Sequence, residues 1–227
     1  IEEQGKMTEE ISKSIESAIT LAEVEDIYRP YKQKKKTRAT VAKAKGLEPL
    51  SIIIYMQNEK ENINKIAEKY IDEEKGVASA EEAIAGALDI IAENISDNPE
   101  YRKDIKRMCY REGYIATKAS NEEEKTNYEM YYDYKEKLNQ IPSHRILAIN
   151  RGEKEEALKV KLDKPEEKII EHIEKDIIKG ESQFKEMLQN TILDSFKRLI
   201  EPSIDREIRN DLTEKAEEKA IKVFGKN

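Results

Sequence analysis

Apolar residues recur every three to four positions through most of this chain, with Lys and Glu between them, the period of amphipathic helices. Thr8 suits the N-cap of a helix carrying Ile11, Ile15, Ala18 and Ile19. A short helix over 21–28 should stop before Pro30, which disfavours helix in the residue ahead of it. A third helix over 37–44 is predicted to end at Gly46 as a C-cap, and a fourth over 47–57 opens with Pro49 in its first turn. That pair permits a helix-turn-helix-like arrangement. Ile63, Ile66, Ala67 and Tyr70 share one face of a helix over 61–71. After the break at Gly76-Val77-Ala78, Ser79 and Glu82 form a predicted capping box. The helix it opens carries Ala83, Ile84, Ala87, Leu88, Ile91, Ala92 and Ile95. Asn98 caps the next helix, over 99–111, with Tyr101, Ile105, Met108 and Cys109 on its apolar side.

Beyond Gly113 the period changes. Residues 114–118 (YIATK) and 157–162 (ALKVKL) alternate as strands do, and the two are expected to pair. Residues 121–137 are charged and rich in Tyr. Pro142 suits an N1 position, and 144–150 reads as helix or strand, with Gly152 as a C-cap favouring helix. Helices follow over 166–178 and 183–200. Pro202 starts a last long one, whose Ile204, Ile208, Leu212, Ala216 and Ala220 draw a narrow stripe every four residues. The expected fold is mainly α: a multi-helical array with a helix-turn-helix-like N-terminal part, a small α/β patch near 114–162 and a long C-terminal helix. The expected organisation is 1–120 as a helical domain, 121–164 as an α/β connection and 165–227 as a helical section.

Composition agrees with this reading. Charged residues are 39% of the 227, Trp is absent, and eight Gly and six Pro are few, which favours thin helical layers over a thick core. Periodic apolar positions argue against disorder. A single cysteine, Cys109, allows no internal disulfide and is consistent with a reducing cytoplasm. No apolar run approaches the about 20 residues of a membrane helix.

Charge is uneven. Residues 29–45 hold Arg29, Lys32, Lys34, Lys35, Lys36, Arg38, Lys43 and Lys45 and no acid, so the rest carries −15 against −7 for the whole chain. Such a stretch suits a polyanion, and a lysine-rich solvated loop is the plainer alternative. Arg145 and Arg151 are weaker candidates for anion contact, with pairing to acidic neighbours as the alternative. Tyr128, Tyr131, Tyr132 and Tyr134 could stack bases. The acids around them (Glu122, Glu123, Glu124, Glu129 and Asp133) favour a packing role. His144 and His172 have no partner at metal-ligand spacing, and no phosphate-cradling glycine loop occurs. No metal, cofactor or catalytic constellation is expected, and Cys109 reads as a buried structural thiol.

Five segments, in order, resemble the Tex family of transcription accessory proteins: IEEQGKMT (1–8), LAEVEDIYRPYKQKKKTRATVAKAKGLEPL (21–50), DEEKGVASA (72–80), IPSHRILAINRGEKEEAL (141–158) and PSIDREIRNDLT (202–213). The resemblance implies a longer parent. In it, this region precedes a ribonuclease-H-like YqgF domain, helix-hairpin-helix motifs and an OB-fold RNA-binding domain. It implies a non-catalytic, cytoplasmic module whose parent meets RNA or DNA in transcription, with transcription machinery and the downstream domains as further partners and no membrane contact. The basic stretch would touch phosphates without reading sequence. Eight neutralised duplex phosphates would give a slope of log K on log salt of roughly −7, and half that if half engage. The competing reading is a protein-interaction scaffold whose basic stretch docks on an acidic surface.

Overall fold

The computed structural model describes residues 1–32 and 36–224. In chain order the helices are α1 (Glu9–Ser17), α2 (Leu21–Tyr28), α3 (Arg38–Ala44), α4 (Glu48–Met56), α5 (Ile63–Glu68), α6 (Ala80–Asp97), α7 (Pro99–Glu112), α8 (Ser143–Lys154), α9 (Glu166–Ile177), α10 (Lys185–Asp194) and α11 (Glu201–Phe224). The strands are β1 (Tyr114–Ala119), β2 (Asp133–Lys137) and β3 (Leu158–Asp163). The fold is thus mainly α, with a small sheet and a long final helix, as the periodicity predicts. The chain forms two compact units: Ile1–Arg102 with Ile170–Ile200, and Lys103–Ile169 with Glu201–Asn227.

The first unit is built around α6, against which α3, α4, α5 and α10 pack. Its face of Ala83, Ala87, Ile90, Ile91 and Ile95 is buried. Gly86 lets the α3–α4 pair come close: a Cβ there would lie 2.4 Å from Leu47 Cδ1 and 3.3 Å from Ala42 Cβ. Leu50, Ile54, Phe184, Leu188, Ile192 and Phe196 complete this core, each contributing about 1.5–3 kcal/mol by leaving water. Two glutamines join distant stretches. Gln57, in the left-handed region at φ 57°, donates to Ile177 O at 2.7 Å and accepts from Lys179 N at 3.1 Å. Gln183 accepts from Ile63 N at 2.9 Å and donates to Glu61 O at 2.8 Å.

In the second unit the strand order is β2-β1-β3, antiparallel throughout, with Thr117 opposite both Tyr134 and Val160. Ile115, Thr117, Leu158 and Leu162 are buried, and α8 covers this face through β3. α11 packs on α8 and buries Ile204, Ile208, Leu212 and Ala216, the predicted stripe. Lys164 ties α11 down, reaching Asp205 at 2.7 Å and Glu201 at 3.1 Å with its side chain buried.

The structure corrects six local expectations. α1 stops at Ser17, with Ala18 extended and Ile19 92% exposed, because Thr20 already caps α2. Pro142 is the N-cap of α8 and not its first helical residue. Gly152 does not cap α8 but lies inside it, where a Cβ would meet Leu158 Cδ1 at 2.6 Å, so the glycine serves helix–strand contact. Ser79 caps α6, but the Glu82 carboxylate accepts from Ala78 N at 2.9 Å, one residue ahead of the expected donor. The 183–200 stretch is α10 followed by a wide turn, Ser195–Ile200, in which Ser195 Oγ donates to Ala92 O at 2.6 Å. The helix over 61–71 is shorter, because Lys69, Tyr70 and Ile71 N–H groups bond three residues back in tightening turns.

Candidate nucleic-acid interface

The basic stretch begins where α2 tightens into a single turn at Arg29–Tyr31, with Pro30 unable to continue the α ladder. Gln4 Nε2 holds the Tyr31 carbonyl at 2.9 Å. Behind it lies a buried ion pair. Arg102, 1% exposed, donates from Nε to Asp26 Oδ1 at 3.0 Å and from Nη1 to Ser96 O at 3.3 Å. Asp26 is also 3.8 Å from Arg29 Nε. The helical part, α3, is opened by a capping box: Thr37 Oγ1 accepts from Thr40 N at 3.0 Å, and Thr40 Oγ1 accepts from Thr37 N at 2.8 Å. Gly46, at φ 80°, then turns α3 into α4.

The cations differ in their surroundings. Lys32, Lys36, Arg38 and Lys43 are exposed. Lys43 lies 3.8 Å from Glu48, and Lys45 donates to Gly76 O at 2.7 Å. Arg38 is within electrostatic reach of two acids: burial holds the Asp89 carboxyl above its ordinary value against the pull of Arg198 and Arg38. Asp194 is held low, chiefly by its hydrogen bond to Arg198, with Arg38 adding. Lys34 and Lys35 lie outside the described residues. Lys32 and Lys43 line an open groove of about 400 Å³ together with the acids Glu93 and Asp97.

Arg145 fills a structural place, with Nη1 3.0 Å from both Glu136 and the Tyr134 hydroxyl, and those partners raise its pKa. Arg151 is exposed. The tyrosines pack: Tyr128 and Tyr131 are buried, Tyr132 donates to Glu124 O, and Tyr134 to Glu136. Asn150 joins α8 to α11, donating to Thr213 Oγ1 at 2.8 Å and accepting from Arg209 at 2.9 Å. Sequence reasoning missed Asp26 and Arg102 as anchors of the stretch. The available signal was Arg102 interrupting an apolar helix face next to Tyr101.

Among the described residues no three metal-ligating side chains gather, and no helix is long and apolar enough to cross a membrane. Cys109 is fully buried, and burial pushes its thiol up to about 12. At pH 8 its thiolate fraction is therefore on the order of 1 in 10,000, and the sulfur is shielded. A disulfide thiol reagent at pH 8 should label Cys109 only as fast as the chain opens and completely in denaturant; rapid labelling of the native chain would refute its burial.

Comparison with known proteins agrees with the motifs. A family model described as Tex central region-like matches residues 58–224. The Bacillus subtilis protein YdcI is 51% identical over the whole of this chain and 32% of its own length. The transcriptional accessory protein Tex of Neisseria gonorrhoeae is 30% identical over the whole chain and 31% of its own length. The human S1 RNA-binding domain-containing protein 1 is 28% identical over the whole chain and 24% of its own length. The chain spans a third or less of the length of these curated relatives. On the family match and the five motifs together, the chain belongs to the Tex family.

Proposed function

We propose that this chain is a non-catalytic helical module of a cytoplasmic transcription accessory protein, and that it supports the full-length protein's association with RNA or DNA through residues 29–45. The observation that carries this is the exposure of Lys32, Lys36, Arg38 and Lys43, with Arg29 beside the buried Asp26–Arg102 pair and Arg38 at the start of the helix that the Thr37 capping box opens. The contact is sequence-independent, since backbone charge is all these side chains address. The names of the relatives point the same way, one as a transcriptional accessory protein and one for an RNA-binding domain.

A second reading, docking on an acidic protein surface such as transcription machinery or other domains of the same protein, has its own support. Arg29, Lys43 and Lys45 already engage Asp26, Glu48 and the Gly76 carbonyl. The test is fluorescence anisotropy with labelled duplex DNA and RNA at low salt, comparing the wild type with Lys34→Glu/Lys35→Glu/Lys36→Glu/Arg38→Glu. Binding that falls at least about tenfold in the variant supports phosphate contact. Equal binding by both, or none by the wild type, leaves the docking reading.

A further inference from the structure

The sheet of the second unit has one face under α8 and one open face, and the register shows what the open face carries. On β1, Ile115 and Thr117 point inward, so Tyr114, Ala116 and Lys118 share the outer face. Lys135 of β2 and Lys161 of β3 flank Ala116; Lys137 and Asp163 flank Tyr114; Asp133 and Lys159 flank Lys118. Five lysines therefore share this face with two aspartates. One of those, Asp163, is divided between Lys135 at 2.8 Å and Lys161 at 2.9 Å.

Lysines on edge strands deter unwanted strand addition, and β2 and β3 are edges. That does not account for Lys118, which sits on the central strand. Lys118 also lies directly opposite Lys159, and like charges facing across antiparallel strands are destabilising. Asp133, on the other side of Lys118, offsets part of that repulsion, and the face still holds three more lysines than aspartates. A function for concentrated positive charge accounts for that excess.

We propose that this open sheet face is a second polyanion surface, separate from residues 29–45, and that it takes single-stranded nucleic acid. Side chains two apart on a strand lie about 6.6–6.8 Å from each other and neighbouring strands about 4.8 Å apart, so the lysines are rooted in a grid on one face, with no element to enter a duplex groove. Tyr114 gives the grid its one ring, with Lys135 Nζ 4.8 Å from its centroid. An unpaired strand offers phosphates to the lysines and base faces to the ring. A duplex keeps its base faces stacked away, and an acidic peptide has none.

The test uses a labelled single strand of about twelve nucleotides, the matching duplex and a polyglutamate peptide, with the wild type, Lys159→Glu and the four-site variant of residues 34–38. Three excess cations predict a slope of log K on log salt of about −2 for the single strand. Lys159→Glu should weaken single-strand binding about tenfold while leaving the thermal midpoint equal or higher, because it sets a carboxylate opposite Lys118. The four-site variant should keep single-strand binding on the sheet. Unchanged binding by Lys159→Glu would overturn the proposal and leave these lysines as edge protection. So would tighter binding of the duplex or of polyglutamate than of the single strand. Loss in the four-site variant alone would also overturn it, while supporting phosphate contact at residues 29–45.

Discussion

Replacing Arg102 with methionine is expected to lower the unfolding free energy of the first unit by about 3–5 kcal/mol. The guanidinium is almost wholly buried, and it donates to Asp26, which is 8% exposed. Removing it strands a carboxylate in a site built for an ion pair, and the desolvation already spent on that charge is no longer offset. The loss should reach the basic stretch, because Asp26 also lies 3.8 Å from Arg29. Amide hydrogens of residues 29–32 and 38–45 should then exchange faster in the variant at temperatures where the fold persists. The double variant Asp26→Leu/Arg102→Met should recover most of the stability, since it removes both charges of the buried pair and leaves only Arg29, whose side chain is 30% exposed and can turn to water. Urea denaturation of all three forms decides the matter. A single variant within about 1 kcal/mol of wild type would mean that the pair does not anchor this stretch.

Gly113→Ala is expected to cost about 3 kcal/mol, through space rather than conformation. A Cβ at this position would lie 2.5 Å from the Cys109 carbonyl oxygen, 3.0 Å from that of Asp163 and 3.0 Å from Leu138 Cδ1. Two of these are backbone atoms that cannot swing aside. The Cys109 oxygen accepts the Gly113 N–H at 2.7 Å where α7 ends, and Asp163 is paired with Tyr114 across the sheet. Gly86→Ala is the informative contrast. Its nearest clash is with the tip of the Leu47 side chain, and alanine gains about 1 kcal/mol of helix propensity in α6. The net loss there should be clearly smaller. Equal denaturation midpoints for Gly113→Ala and wild type would contradict the packing described for the start of β1.

Much of the fold was legible locally. Thr8, Ser79 and Asn98 cap the helices they precede, because a side-chain oxygen beside a free N–H is a property of a few adjacent residues. The β1–β3 pairing follows from alternation in two short segments. β2 was not legible: its sequence, DYKEK, has no aliphatic residue, and it becomes a strand because β1 offers it an edge and Arg145 reaches up to Glu136 and Tyr134. Gly152 was misread because a glycine near a helix end usually marks a C-cap, and only the position of Leu158 shows its real use. The same division holds for the candidate sites. The concentration of charge over residues 29–45 is plain in the sequence. The partners that take up some of it are not: Lys45 meets the carbonyl of Gly76, and the charge of Arg38 is felt by Asp89 and Asp194, all far along the chain. Two lysines of the sheet face, Lys135 and Lys137, were hidden for a stronger reason, since they join it only once β2 is in register with β1.

The most direct test of phosphate contact at residues 29–45 is the salt dependence of duplex DNA binding by the wild-type chain. With about half of the eight cations engaged, log K should fall against log salt with a slope of about −4, and that slope should approach zero in Lys34→Glu/Lys35→Glu/Lys36→Glu/Arg38→Glu. Binding whose slope is the same in both proteins, or no binding by the wild type at about 50 mM salt, would contradict it.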